Sequence, residues 1–156
     1  MKRIYFPTTA GDQCDSRFEA KMVQSLIDRG IAYEFHPEER EYSSSVRGGF
    51  CPECGSNSVR QGRLYTPDVK LLATGVLVEI KGKFTPRNRN LMTQFIKAYS
   101  GTVAFCFMAD NKLSPGSRTR YTGWAARLKC ASAVKEIPDW WADPAYWTTP
   151  QQELYP

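Results

Sequence analysis

The fold turns on one stretch: Tyr65-Thr66-Pro67-Asp68-Val69-Lys70-Leu71-Leu72-Ala73-Thr74-Gly75-Val76-Leu77-Val78-Glu79-Ile80-Lys81-Gly82. Two β-rich runs, 64–72 and 76–81, flank the turn Ala73-Thr74-Gly75, which predicts an antiparallel hairpin. Alternate residues of a strand share a face, so Glu79 and Lys81 project together while Val78 and Ile80 point into the core. A tight hairpin brings Asp68 beside Glu79. Adjacent carboxylates repel unless a proton or a cation lies between them. A hard divalent ion answers that need, and Mg²⁺ commonly takes one or two carboxylates together with waters and phosphate oxygens. The Lys81 ammonium is then placed to orient a water or to neutralise charge developing on a phosphate.

Working outward, Asp15-Ser16-Arg17-Phe18-Glu19 opens a run with apolar residues at Phe18, Met22, Val23, Leu26 and Ile27, the stripe of an amphipathic helix. Ser16 and Glu19 have capping-box spacing, and Gly30 supplies the stop. A short strand follows at 31–35. Residues 36–63, with Ser43-Ser44-Ser45, Gly48-Gly49 and Cys51-Pro52-Glu53-Cys54-Gly55, form an excursion too long to lie structureless in one domain. After the hairpin, Thr85-Pro86 predicts the start of a second helix striped by Leu91, Met92, Phe95, Ile96 and Tyr99. The apolar run 102–108 suits a strand buried on both faces, and 111–120 reads as a polar, basic loop. Thr122 is placed to cap a short helix over 123–129, with a last edge strand at 134–137. The expected architecture is a single α/β domain over 1–156, a central mixed sheet flanked by helices.

The net charge of +5 is unevenly spread. Residues 1–68 hold 9 basic and 10 acidic side chains, while 69–135 hold 12 basic and 2 acidic, a balance of +10. That field implies a polyanionic partner. Its two acids, Glu79 and Asp110, each need a reason to be there. No window is apolar enough for a membrane span, and Met1–Pro7 lacks the apolar run of a secretory signal. Five cysteines, an odd number, argue for reduced thiols in a cytoplasmic setting. The single histidine, His36, argues against a His-based triad or a multi-histidine metal site.

Pro67-Asp68 followed by Glu79-Ile80-Lys81 resembles the catalytic motif of the PD-(D/E)xK nuclease superfamily. Over nearly its whole length the chain is similar to the endonuclease I family of Holliday-junction resolvases from T-seven-like phages. The matching segments run in the same order: Ser16 and Glu19, the stripe from Met22 to Ile27, Arg29-Gly30-Ile31, Tyr65 to Asp68, Val78-Glu79-Ile80-Lys81-Gly82, Lys112-Leu113-Ser114-Pro115-Gly116-Ser117 and Ile137-Pro138-Asp139-Trp140-Trp141. The resemblance implies a restriction-endonuclease-like core and a Mg²⁺- or Mn²⁺-dependent deoxyribonuclease that resolves branched DNA. It implies Asp68, Glu79 and the Ile80 carbonyl as metal ligands, Lys81 as the residue serving the nucleophile, and Glu19 completing the catalytic set. It further implies an intertwined homodimer with Glu19 supplied in trans, working in the cytoplasm of a bacterial host. From the residues alone, Glu19 equally suits the capping box. The alternatives in function are a duplex nickase or restriction-type nuclease, and a non-catalytic zinc-knuckle DNA-binding protein.

Lys83, Arg87 and Arg89 near the start of the second helix, with Arg118 and Arg120 in the polar loop, are the candidate DNA contacts. Nothing resembles a base-reading helix, so backbone shape is the expected target. Trp140, Trp141, Tyr146, Trp147 and Tyr155 are expected to pack, with base stacking as the other use of such residues. The family resemblance leaves Cys51 and Cys54 unexplained. One Cys-x₂-Cys is half of a structural zinc site, so two chains pooling theirs is one reading and a turn with free thiols the other. Metal analysis of protein purified without added zinc tests the pooled site: fully folded zinc-free protein retires it.

Overall fold

The computed structural model describes residues 4–47 and 58–147, with the backbone alone over 43–47 and 58–61. Its centre is a five-stranded sheet. In chain order the elements are β1 (Phe6–Pro7), β2 (Gln13–Cys14), α1 (Arg17–Asp28), β3 (Tyr33–Phe35), β4 (Arg40–Arg47), β5 (Ser58–Tyr65), β6 (Val69–Leu71), β7 (Leu77–Lys81), α2 (Pro86–Ala98), β8 (Val103–Phe107), α3 (Tyr121–Arg127), β9 (Ala131–Val134) and α4 (Pro144–Trp147), with a 3-10 turn at Asp139–Ala142 before α4. The sheet order is β3-β6-β7-β8-β9. β3, β6 and β7 pair antiparallel, whereas β7, β8 and β9 run parallel. The expected mixed sheet flanked by helices is the fold observed.

Alternation along the central strands builds two cores. Val78 and Ile80 of β7 and Ala104 and Cys106 of β8 pack with Met22, Val23 and Leu26 of α1. On the other face, Leu77, Val103, Phe105 and Phe107 meet Phe84, Met92 and Phe95, together with Tyr121 and Ala125 of α3. Both faces of β7 and β8 are thus covered, which accounts for the unbroken apolar run of β8. Glu79 shares a face with Leu77 and therefore points into a covered layer; the expectation that only Val78 and Ile80 face core is corrected accordingly.

The ends of α1 are set locally. The Ser16 hydroxyl accepts from the Glu19 N–H at 3.1 Å, and Gly30 adopts a left-handed φ of +66° that costs a glycine little. Arg29 then ties the helix end to the distant 3-10 turn, donating to the Ile137 carbonyl at 2.8 Å and the Asp139 carboxylate at 2.6 Å. The aromatic tail packs: Trp141 is fully buried, Trp140 lies 4.0 Å from Tyr146, and Trp147 Nε1 donates to the Trp141 carbonyl. Tyr155 lies outside the described residues.

Four local expectations change. The excursion at 36–63 is organised by a ladder in which Arg40–Arg47 pairs antiparallel with Ser58–Tyr65. Its base is anchored by Tyr42, packed edge-on to Phe95 of α2. Residues 64–65 therefore belong to this arm, while the hairpin strand is shorter, Val69–Leu71. The last strand is Ala131–Val134 rather than 134–137. Helix α3 begins at Tyr121, and Asp110 rather than Thr122 caps it, its carboxylate accepting from the Thr122 N–H at 2.9 Å. One of the two acids in the basic segment is thus explained by a helix start. Cys51 and Cys54, with the zinc reading they carry, lie outside the described residues. Among the described residues no helix is long and apolar enough to cross a membrane.

Leu26 is fully buried in the α1 core, so Leu26→Ala is expected to cost about 2–5 kcal/mol in urea unfolding, against less than about 0.5 kcal/mol for exposed Lys21→Ala. Burial lifts the thiols of Cys14, Cys106 and Cys130 to about 12. In a Cys51→Ser/Cys54→Ser chain at pH 8, no thiol should react with a disulfide reagent until denaturant is added. The folded state holds these thiol protons more tightly than the unfolded chain, so stability should fall as pH rises from about 9 toward 12, readable by urea titration.

Candidate active site

Strand direction gathers the site at one end of the sheet. β7 and β8 run parallel, so both end together, with Lys81 beside Phe107. β6 is antiparallel to β7 in the register Val69 to Val78, and one further step sets Asp68 across from Glu79. β3 is antiparallel to β6, and His36 just past its end donates its N–H to the Asp68 carbonyl at 3.0 Å. Helix α1 adds Glu19, which opens the buried stripe of Met22, Val23 and Leu26 and is itself 5% exposed.

Lys81 bridges the two hairpin carboxylates. Its Nζ lies 3.3 Å from Asp68 Oδ2 and forms a second, closer ion pair with Glu79 Oε1. Asp68 Oδ2 also accepts from the Ile80 N–H at 2.7 Å, fixing its side chain against β7. Glu79 is 1% exposed; burial first, then the charge of Asp68, raises its carboxyl to about 7 despite Lys81. Burial opposes the Lys81 charge, but Glu79 and Asp68 outweigh it and hold the ammonium above its ordinary range. Tyr65, at the end of the arm, is likewise raised, by burial and by the charges of Glu79 and Asp68.

Glu19 stands on the other side of Asp68. Its Oε2 accepts from the Asp15 N–H at 2.7 Å, and its Oε1 lies 3.5 Å from His36 Nε2. The capping box is thus half formed: Ser16 caps Glu19, but the Glu19 side chain reaches Asp15 rather than returning to Ser16. Burial and the Asp68 charge raise the Glu19 carboxyl. One ligand atom from each of Glu19, His36 and Asp68 falls within 4.8 Å of the others, a group able to hold a metal ion. Glu79 stands apart from that group, engaged by Lys81. Glu19 and Asp68 meet within the one chain described.

His36 is the residue that sequence reasoning did not place here. A lone histidine at the start of an irregular stretch carries no spacing signal. The one available cue was its position beside a short strand, and that becomes informative only once β3 is known to pair with β6.

The basic residues divide. Lys83, Arg87 and Arg118 are exposed, on the segments that follow β7 and β8 in the chain. Arg89 instead donates to the Phe84 carbonyl at 2.5 Å, and Arg120 to the Asp110 carbonyl at 2.6 Å. These two guanidiniums brace the starts of α2 and α3, which reduces their freedom as DNA contacts.

No protein-family model matches the chain, and no curated protein matches it.

Removing Glu79 tests the electrostatics directly. The folded state binds the Glu79 proton more tightly than the unfolded chain, so wild-type stability falls as pH rises from about 4.5 toward 7. Glu79→Gln lacks that dependence. In EDTA, its stability relative to wild type should rise across this window and level off above it, measured by urea unfolding at several pH values.

Proposed function

We propose that this protein is a metal-dependent, structure-selective DNA endonuclease that hydrolyses phosphodiester bonds at four-way junctions and other branched DNA. The observation that carries the reading is the meeting of Asp68 with Glu79 and Lys81 on one side and Glu19 on the other, in a chain whose following segments carry exposed Lys83, Arg87 and Arg118. Carboxylates crowded in a poorly solvated site disfavour cleavage chemistry alone but suit a divalent ion, and the raised Glu19 and Glu79 carboxyls record that crowding.

The residues present fit Mg²⁺ or Mn²⁺. Asp68 and Glu19 are the carboxylates close enough together to hold it, with Glu79 and the Ile80 carbonyl joining if Lys81 releases its partners. When bound, the ion polarises a phosphoryl oxygen and lowers the pKa of a bound water. Lys81 stays protonated between its two carboxylates, which suits it to neutralise charge on the phosphate rather than to take a proton. Lys83, Arg87 and Arg118 hold the strand by its phosphates, without reading bases. A homodimer in the bacterial host cytoplasm completes the reading, its two sites suiting paired cuts on opposing strands.

The test is a labelled immobile four-way junction and a linear duplex, incubated with Mg²⁺ and then with EDTA. Paired symmetric cuts near the branch are expected. Equal cutting of duplex favours a nickase, and binding without metal-dependent cleavage favours a non-catalytic DNA-binding protein. Asp68→Asn and Glu79→Gln should each lower cleavage by at least about a hundredfold while leaving junction binding intact. Because Glu19 meets Asp68 in one chain, mixed Glu19→Gln and Lys81→Ala chains should stay inactive; recovery of one site would reveal exchange of α1 between subunits.

A further inference from the structure

Glu19, His36 and Asp68 come from three separate elements: the first turn of α1, the end of β3 and the start of β6. Each is held by a bond of its own. Glu19 Oε2 is fixed by the Asp15 N–H, Asp68 Oδ2 by the Ile80 N–H, and the His36 backbone by the Asp68 carbonyl. The His36 ring stacks on Phe35 with centroids 3.9 Å apart, which limits its rotation. These fixings leave Glu19 Oε1 facing His36 Nε2. The Glu19 side chain is 7% exposed and that of His36 40%, so the group is buried on the helix side and reachable from water on the imidazole side.

We infer that Glu19, His36 and Asp68 form a cation site of two carboxylates and one imidazole, which takes a first-row transition-metal ion such as Mn²⁺ or Co²⁺ in preference to Mg²⁺. The inference rests on the reading of Glu19 and Asp68 as metal-holding carboxylates and adds the third donor. An all-oxygen set suits Mg²⁺, whereas an imidazole nitrogen shifts preference toward the transition metals. Glu79 is engaged by Lys81 and lies outside the group, and among the described His, Cys, Asp and Glu side chains the imidazole is the one that joins Glu19 and Asp68. Three donors leave the outer positions of the ion to water or to a phosphate oxygen.

His36 is the one histidine of the sequence, so its ring can be observed without ambiguity. The experiment is a Co²⁺ titration of the full-length protein carrying selectively labelled histidine, read by NMR without DNA and with about a tenfold excess of Mg²⁺ over Co²⁺. The expected result is a set of ring resonances shifted far outside the diamagnetic range, lost in both Asp68→Asn and Glu19→Gln. Each substitution preserves an oxygen able to accept the local backbone N–H, so both chains are expected to fold. By calorimetry, His36→Gln should weaken Co²⁺ binding at least about tenfold and leave Mg²⁺ binding unchanged. An unshifted ring, or a shift that survives both carboxylate substitutions, overturns the inference. The readout involves no cleavage. A shifted ring in a protein that cuts nothing supports the site and sinks the endonuclease reading, while Mg²⁺-supported cutting with an unshifted ring does the reverse.

Discussion

A carboxylate removed almost wholly from water is the constraint around which this molecule is arranged. Glu79 lies in the middle strand of a five-stranded sheet, on a face covered by helices, where an ion without a partner would be costly. Lys81 answers it from two residues along the same strand, where the pleat returns the side chain to the same face. The ammonium in turn needs more than one carboxylate, and the hairpin register supplies Asp68 directly across. The Ile80 N–H completes this arrangement by fixing Asp68 rather than leaving it to swing toward solvent. Charge pairing, register and strand direction therefore depend on one another at a single end of the sheet.

The rest of the site is arranged around Asp68. One side of it is occupied by Lys81, and the other meets Glu19 and His36, so two different electrostatic environments share a single aspartate. On the Lys81 side, negative charge is already neutralised by the protein. Facing α1, it is not: Glu19 is buried, its carboxyl is raised, and an imidazole is the nearest group of opposite tendency. That asymmetry leaves one side of Asp68 paired in charge and the other beside a group able to hold an ion.

Much of this was legible in the residues. The helix stripe of α1, the Gly75 turn, the Thr85-Pro86 start of α2 and the buried run of β8 are local patterns, and local patterns survive folding when the core they imply is built. The errors share a cause. Residues 64–65 look like the start of the hairpin strand because they are apolar and β-prone, yet they pair with 40–41, more than twenty residues away. Thr122 looks like a cap, but the carboxylate that reaches the α3 terminus comes from Asp110, across a loop. Arg89 and Arg120 look like free cations until their carbonyl partners are known. Each error concerns a partner distant along the chain, which neither periodicity nor spacing can name.

By itself the sequence determined the class of the fold, a mixed sheet between helices, because two hydrophobic periods written along the chain admit few other ways to bury their apolar faces. It also brought Asp68 close to Glu79 and Lys81 through a short turn, while the pairing of Val69 with Val78, which sets Asp68 across from Glu79 itself, came with the folded hairpin. Tertiary structure alone decided that Glu19 meets Asp68 rather than closing its own capping box, and that the single histidine stands beside them. The physical reason is that both depend on how α1 and β3 dock against β6 and β7. Docking is set by the summed packing of the core and not by any residue's neighbours in the chain.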